Sequence, residues 1–376
     1  MMKQPQPAAD DARANLRTAF KVIALLGALV VGLVLALAWT WWRLRAGGPT
    51  SGLVLRLSTG ENLIRKKFPE VDFAAVYPGR SPAEIDEVQR ESLALRYVYA
   101  PFVEFAPLPT EGRWLNITPA GFRKGRTGAP WPPARDDVVV FVFGGSTALG
   151  FGVPDADTVA SALEDRLGAR FPGHRVRCYN FGRGYYFSTQ ERLLFESLLT
   201  AGMVPNYAVF IDGLNEFVYY DGMPQLEPEL FHFTAPERPL PRLAEPATDA
   251  ERAAAVAQLI ARYRENIRLT EGVARAFGVT PVFVGQPVPF LDFPMQPATY
   301  PFRSTFAEER LAGWGYDRFK QAARDGQFGD HFVWCGNAFA GADRIMYVDS
   351  IHYSRAGAEL LAGCLVERAA QVGLWP

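Results

Sequence analysis

From Asp137 onward the apolar and polar positions fall into two alternating patterns. Residues 138–143 (VVVFVF) form a continuous apolar run, as a strand covered on both faces requires. A glycine-rich turn follows, then a helical pattern over 158–171 for which Asp157 is the expected N-cap. Residues 175–180 read as a second strand, 189–201 as a second helix and 207–212 as a third strand. The stretch 222–246 is rich in proline, and the expectation there is a loop insertion over the edge of the sheet or over the site. A long helix over 249–277 and a fourth strand over 281–285 come next. Residues 286–345 are less regular, with a helical piece near 306–324. A short fifth strand at 346–348 and a closing helix over 354–372 complete the pattern. Strands alternating with helices predict an α/β three-layer sandwich, a mostly parallel sheet with helices on both faces.

The chain before residue 136 is organised differently. Residues 46–135 hold many Pro, Gly and aromatic positions without a sustained period, and read as a juxtamembrane accessory region. One piece, 82–95, has helix signals: Ser81 as N-cap, Pro82 at the first helical position, and Glu84 placed to reach back to the N-cap amide. Residues 1–19 read as a short cytoplasmic tail and 20–43 as one transmembrane anchor. Its middle, 22–42, carries no charge and at about 1.5 Å per residue spans roughly 30 Å of hydrocarbon. Trp39, Trp41 and Trp42 sit at one end, where an aromatic belt meets headgroups. A cleaved signal peptide is the competing reading, because Ala36-Leu37-Ala38 resembles a cleavage site. With an N-terminus on the inside, the remainder is expected to lie outside the inner membrane, in the periplasm.

Composition narrows the function classes. A formal charge of −1 gives no general attraction to nucleic acid. The three cysteines, Cys178, Cys335 and Cys364, are neither a disulfide scaffold nor a zinc cluster. Cys335 and Cys364 could pair in an oxidising compartment, or remain free buried thiols. No metal or organic cofactor is implied.

In an open parallel sheet, ligands bind beyond the carboxyl ends of the strands, so the residues that follow each strand carry the chemistry. They are Gly144-Gly145-Ser146-Thr147, then Asn180-Phe181-Gly182-Arg183-Gly184-Tyr185, then Gly213-Leu214-Asn215-Glu216, and last Asp349-Ser350-Ile351-His352. A serine on a tight glycine turn needs a base to act as a nucleophile. His352 can be that base, and Asp349 can orient its imidazole. The N–H of Ser146, an N–H near Gly184 and the side-chain amide of Asn215 can serve as oxyanion donors.

These four blocks, in this order, resemble the SGNH (GDSL-like) hydrolase family over roughly residues 136–372. The serine block stands as GGST, the glycine block within NFGRGYY, the G-x-N-D block as GLNE with Glu216 in place of Asp, and the D-x-x-H block at Asp349 and His352. The resemblance implies a flavodoxin-like five-stranded sheet, a catalytic domain over 136–376 and ester chemistry through an acyl-serine. It leaves the second donor open between the amides of Gly184 and Tyr185.

Other readings of the same residues stand beside this one. Ser146 could cap the helix that follows it, Asn215 could be a turn residue, and Gly182 and Gly184 could mark only a turn. Glu229 and His232 repeat the acid–histidine spacing, and His174 and His331 read as surface or structural residues. Tyr97-Val98-Tyr99, Trp114 and Tyr185-Tyr186-Phe187 offer rings that could pack or stack on sugars. Asn116-Ile117-Thr118 is formally a glycosylation sequon. The function expected is a serine esterase, with deacetylation of a cell-surface polysaccharide as the substrate suggested by analogy. An O-acetyltransferase of exopolysaccharide assembly using the same triad, and a catalytically silent glycan-binding scaffold, are the alternatives. Partners expected are an acylated small molecule or glycan, the membrane and exopolysaccharide-assembly proteins, with no nucleic acid.

Overall fold

The computed structural model describes residues 62–222, 245–302 and 311–376. The expected tail and anchor, residues 46–61, most of the proline-rich stretch and the Glu229/His232 pair lie outside the described residues. Among the described residues no helix is long and apolar enough to cross a membrane. All of them fall within one compact unit, Asn62–Pro376, so residues 62–135 belong to the same body as the sheet.

That body begins with three helices, α1 (Leu63–Lys67), α2 (Phe73–Val76) and α3 (Pro82–Leu93). The start of α3 is the expected capping box, with Glu84 N–H donating to Ser81 and Ser81 N–H donating to the Glu84 carboxylate. A two-stranded antiparallel ribbon follows, β1 (Tyr97–Ala100) and β2 (Glu104–Pro107). Then come β3 (Asp137–Gly144), α4 (Ser146–Leu149), α5 (Val159–Gly168), β4 (Arg175–Asn180), α6 (Ser188–Thr200), β5 (Tyr207–Asp212) and α7 (Leu214–Val218). The chain continues through α8 (Asp249–Phe277), β6 (Thr280–Gly285), α9 (Leu311–Arg324), β7 (Phe332–Trp334) and α10 (Arg355–Gln371). The five-stranded sheet has the order β4-β3-β5-β6-β7 and every pairing in it is parallel.

Period-two alternation divides the two cores by side-chain type. Val140, Val142, Val209, Ile211, Val282 and Val284 face an aliphatic layer with Leu163 and Leu167 of α5 and Leu361 and Leu365 of α10. Phe141, Phe143, Phe210 and Phe283 point the other way, onto Phe195 of α6, Leu259 of α8 and Phe319 of α9. On that face Phe143 stacks on Phe210 at 4.8 Å and Phe210 on Phe283 at 5.2 Å, a ladder of rings across three adjacent strands.

Two expectations need correction and a third is only partly described. The fifth strand is β7, not 346–348: Met346, Tyr347 and Val348 are fully buried but join no ladder, and only an isolated bridge links Tyr347 to Tyr353. A three-residue apolar run does not separate a strand from a buried loop, and here the loop reading wins. The cap of α5 is Thr158, whose side chain accepts from Ser161 N–H, because the Asp157 carboxylate is drawn to Arg80 at 2.9 Å. The helix expected from 306 is described from Leu311, since 303–310 lie outside the described residues.

Cys335, just beyond β7, and Cys364, within α10, form a disulfide that ties the edge of the sheet to the closing helix across 29 residues of chain. Cys178 is buried and free. Replacing both bridged cysteines with alanine is expected to lower unfolding stability by about 2–4 kcal/mol. Denaturant midpoints read this directly, and an unchanged midpoint in the double variant would show that the bridge contributes nothing.

Candidate active site

Strand β3 lies between β4 and β5, so the chain leaves it in opposite directions on the two sides. That switch opens a crevice at the carboxyl ends of the strands. Ser146 emerges there on a turn that only glycines can make. Gly144 has φ +151°, and a Cβ on it would lie 2.5 Å from Ala148 Cβ and 2.9 Å from the Ile211 carbonyl. A Cβ on Gly145 would lie 2.4 Å from the side-chain amide of Asn215. Ser146 opens α4 yet makes no side-chain cap bond, so the capping reading of this serine is not what the structure shows.

His352 meets it from the far end of the chain. His352 Nε2 is 2.8 Å from Ser146 Oγ and Nδ1 is 2.7 Å from Asp349 Oδ2. With the proton on Nδ1 donated to Asp349, Nε2 is left to accept from the serine hydroxyl. The other oxygen of Asp349 accepts the N–H groups of Ile351 and His352 at 2.9 and 2.8 Å, so one carboxylate shapes the loop and aims the ring. The loop is closed by Val348 N–H to the His352 carbonyl and Ser354 N–H to the Met346 carbonyl. Burial alone would push the Asp349 carboxyl up. The charge on His352 and these hydrogen bonds outweigh it and hold the group below its ordinary value. Phe151 closes one side, with its ring 4.6 Å from the imidazole.

The candidate oxyanion donors sit on the neighbouring loops. Asn215, in α7, donates from Nδ2 to the Tyr186 carbonyl at 2.6 Å, which fixes the amide and leaves its second proton beside Gly145. The hydroxyl of Tyr97 on β1 lies against Gly184, 2.7 Å from where a Cβ on that glycine would stand. Tyr185, the third residue of the turn Arg183–Tyr186, takes the left-handed φ of +67° that favours glycine, and its side chain is 51% exposed. Among the described residues its N–H has no acceptor.

The nucleophile turn is braced from below. Asn180 Nδ2 donates to the Ala148 and Leu149 carbonyls. The fully buried Arg123 donates to the carbonyls of Leu149, Gly150 and Val153 and pairs with Asp155 at 2.8 Å. Asn116 of the sequon donates its amide to Asp155 at 2.8 Å. Among the other candidates, His331 pairs with Glu271 and His174 is exposed, both away from the triad's hydrogen bonds. Tyr186 and Phe187 are core residues, while Tyr99 and Tyr185 are exposed. Trp114 packs between the guanidinium groups of Arg80 and Arg113. Sequence reasoning missed Phe151 and Arg123, and took Tyr97 only as a ring that could pack or stack on sugars. No motif marks them, because they act on the site from segments distant in the chain. Among the described residues no cluster of potential metal ligands is present.

No protein-family model and no curated protein matches this chain. Solved structures similar to it include the lipase Lip_vut3 from a goat rumen metagenome, at 10% identity over 63% of this chain and 98% of that one, with a TM-score of 0.42. They also include the psychrotrophic esterase EstA from Pseudoalteromonas sp., at 13% identity over 62% and 98%, TM-score 0.37. A member of the lipolytic protein G-D-S-L family from Veillonella parvula matches at 12% identity over 61% and 96%, TM-score 0.37. At such scores the reading of the site rests on its own geometry.

The ribbon that carries Tyr97 also carries a titratable group. Glu104 of β2 has φ +71°, its Oε2 is buried without a hydrogen-bond partner, and burial pushes its carboxyl up to about 7. A carboxyl raised in the folded state stabilises fully below its unfolded value and loses that contribution as pH rises through about 7. Glu104→Gln is therefore expected to melt above the wild type at about pH 8 and together with it at about pH 4.5. Melting curves at the two pH values check this, and a constant difference between the variants would sink it.

Proposed function

We propose that this chain is a serine esterase that works through an acyl-serine intermediate. The observation that carries the proposal is the continuous hydrogen-bonded line from Asp349 through His352 to Ser146, across 206 residues of sequence, at a switch-point crevice. His352 Nε2 takes the hydroxyl proton as Ser146 Oγ bonds to the acyl carbon. The carbonyl oxygen becomes an oxyanion that the N–H of Ser146, the N–H of Tyr185 and the free amide proton of Asn215 can hold. Collapse of this intermediate breaks the ester C–O bond, and the leaving alcohol takes its proton from His352. Water, deprotonated by the same nitrogen, then releases the acid and restores the serine.

Of the two candidate amides we assign the second donor to Tyr185, which stands at the exposed, left-handed corner of the turn. For placement we propose a domain held outside the membrane by the apolar stretch 22–42. The disulfide supports this reading, because such bridges persist in oxidising compartments. A glycan-borne acetyl ester is the substrate we favour, on the exposed ring of Tyr185 beside the candidate donors.

The deciding experiment is hydrolysis of an aryl acetate by the full-length protein and three variants. Ser146→Ala and His352→Ala are each expected to lower kcat by roughly 10⁴–10⁶. Asp349→Asn, which leaves the ring in the wrong tautomer, is expected to lower it by roughly 10⁴. Equal background rates in all four proteins would overturn the esterase reading.

A further inference from the structure

The donors assigned to the oxyanion come from loops that the sheet does not hold together. Tyr185 follows β4 and Asn215 follows β5, and these strands lie on opposite sides of β3. Their separation is therefore set by contacts between the loops. Two hydrogen bonds among the described residues link the loops. Asn215 Nδ2 donates to the Tyr186 carbonyl at 2.6 Å, and the N–H of Ser188, which opens α6, donates to Glu216 Oε1 at 2.7 Å.

Glu216 has no solvent exposure, and an isolated carboxylate so placed would be strongly disfavoured. Its other oxygen is 3.3 Å from Arg262 Nη2, on α8. The same guanidinium donates to the carbonyls of Tyr219 and Tyr220 at 3.0 and 2.8 Å, just past α7, where a helix leaves carbonyls unpaired. It also lies 5.3 Å from the ring of Phe187, which stacks on Tyr219 at 5.5 Å. One arginine thus touches both loops and the carboxylate that joins them. The two other acids of this cluster, Glu191 and Asp212, are buried and have no arginine. Burial and the neighbouring acidic charges push both carboxyls well up.

We infer that Glu216 and Arg262 are a positioning pair that sets the distance between the Tyr185 and Asn215 donors. The inference rests on the esterase reading. Neither side chain touches the reacting atoms. Each acts through the loop it holds, and both therefore affect the transition state more than substrate binding. The charge of the pair has a second consequence. It sets a guanidinium-paired carboxyl group against the Ser188 N–H, and hydrogen bonds to charge-assisted acceptors are the stronger ones.

The test uses the full-length protein with wild type, Glu216→Ala, Glu216→Gln and Arg262→Met. A phosphonate ester that reacts with the serine counts competent sites, so that kcat for aryl acetate is expressed per titrated site. Glu216→Ala is expected to lose roughly 10–100-fold in kcat, short of the roughly 10²–10³-fold for outright removal of a donor. KM should stay within about two-fold. Glu216→Gln keeps an oxygen for the Ser188 N–H and is expected to recover most of that loss. Arg262→Met is expected to fall between them, and it carries the test if Glu216→Ala fails to fold. A kcat per site unchanged in all three variants beside a lowered melting temperature would show a merely structural role and overturn the inference. So would an alanine and a glutamine variant equally impaired. A wild type that the phosphonate does not titrate would instead remove the esterase reading, and that is visible before any Glu216 variant is made.

Discussion

The site depends on a close approach that leaves no room for side chains. At Gly144 and Gly145 the backbone passes so near Ala148, the Ile211 carbonyl and the Asn215 amide that a Cβ at either position would sit inside contact distance. This approach lets β3 end abruptly and deliver Ser146 to the crevice. It also brings Asn215 beside the serine without any long side chain reaching across. A methyl group at Gly145 would push Asn215 away, and Asn215 is in turn bonded to Tyr186, so the disturbance would spread from the third loop to the second.

Two guanidinium groups brace the loops that surround that turn. Arg123 is fully buried and spends its donors on three carbonyls of the segment after α4 and on Asp155. Arg262 does the same for the segment after α7, and Glu216 for the start of α6. Buried ion pairs stabilise weakly, because desolvation offsets much of the attraction. Their value here is directional. Each guanidinium has donors in a fixed fork, and carbonyls bound to that fork cannot move independently. Loops that would otherwise be the softest parts of an α/β sheet are tied to the elements beneath them.

The parts of this arrangement legible in the sequence are those written in consecutive residues. The apolar runs of β3 and β5, the capping box at Ser81 and the helix Asp249–Phe277 all follow from local pattern, and the structure has them. The order of the strands, and the meeting of residue 146 with residue 352, was legible only through the resemblance of four short blocks to a known family. What stayed illegible has a common cause. Phe332–Trp334 is a strand because β6 pairs with it, and Met346–Val348 is a loop because Asp349 and His352 curl it back, yet both are short apolar runs. Thr158 takes the cap from Asp157 because Arg80, 77 residues away, takes the carboxylate. In each case a long-range partner decides between two locally equivalent choices.

The same reasoning changes the standing of the residues before the sheet. Read as sequence, 46–135 is an accessory stretch without a period. In the structure its described part supplies Tyr97, whose hydroxyl lies against Gly184, and the carbonyls of Val103 and Phe105, which accept from Tyr186. It also supplies Arg123, under the turn that follows the nucleophile. Phe105 packs edge-on against both Tyr97 and Tyr186, so the ribbon and the glycine-block turn share one small core. A tyrosine at φ +67° with an exposed ring is a strained choice for position 185, and the surrounding contacts must hold it. The ribbon supplies those contacts. Without it Tyr186 would lose its hydroxyl acceptors, and the turn would lose the support that holds Tyr185 in place. The segment that precedes the sheet is therefore tied to the turn that carries Tyr185, and to the turn that carries Ser146 through Arg123.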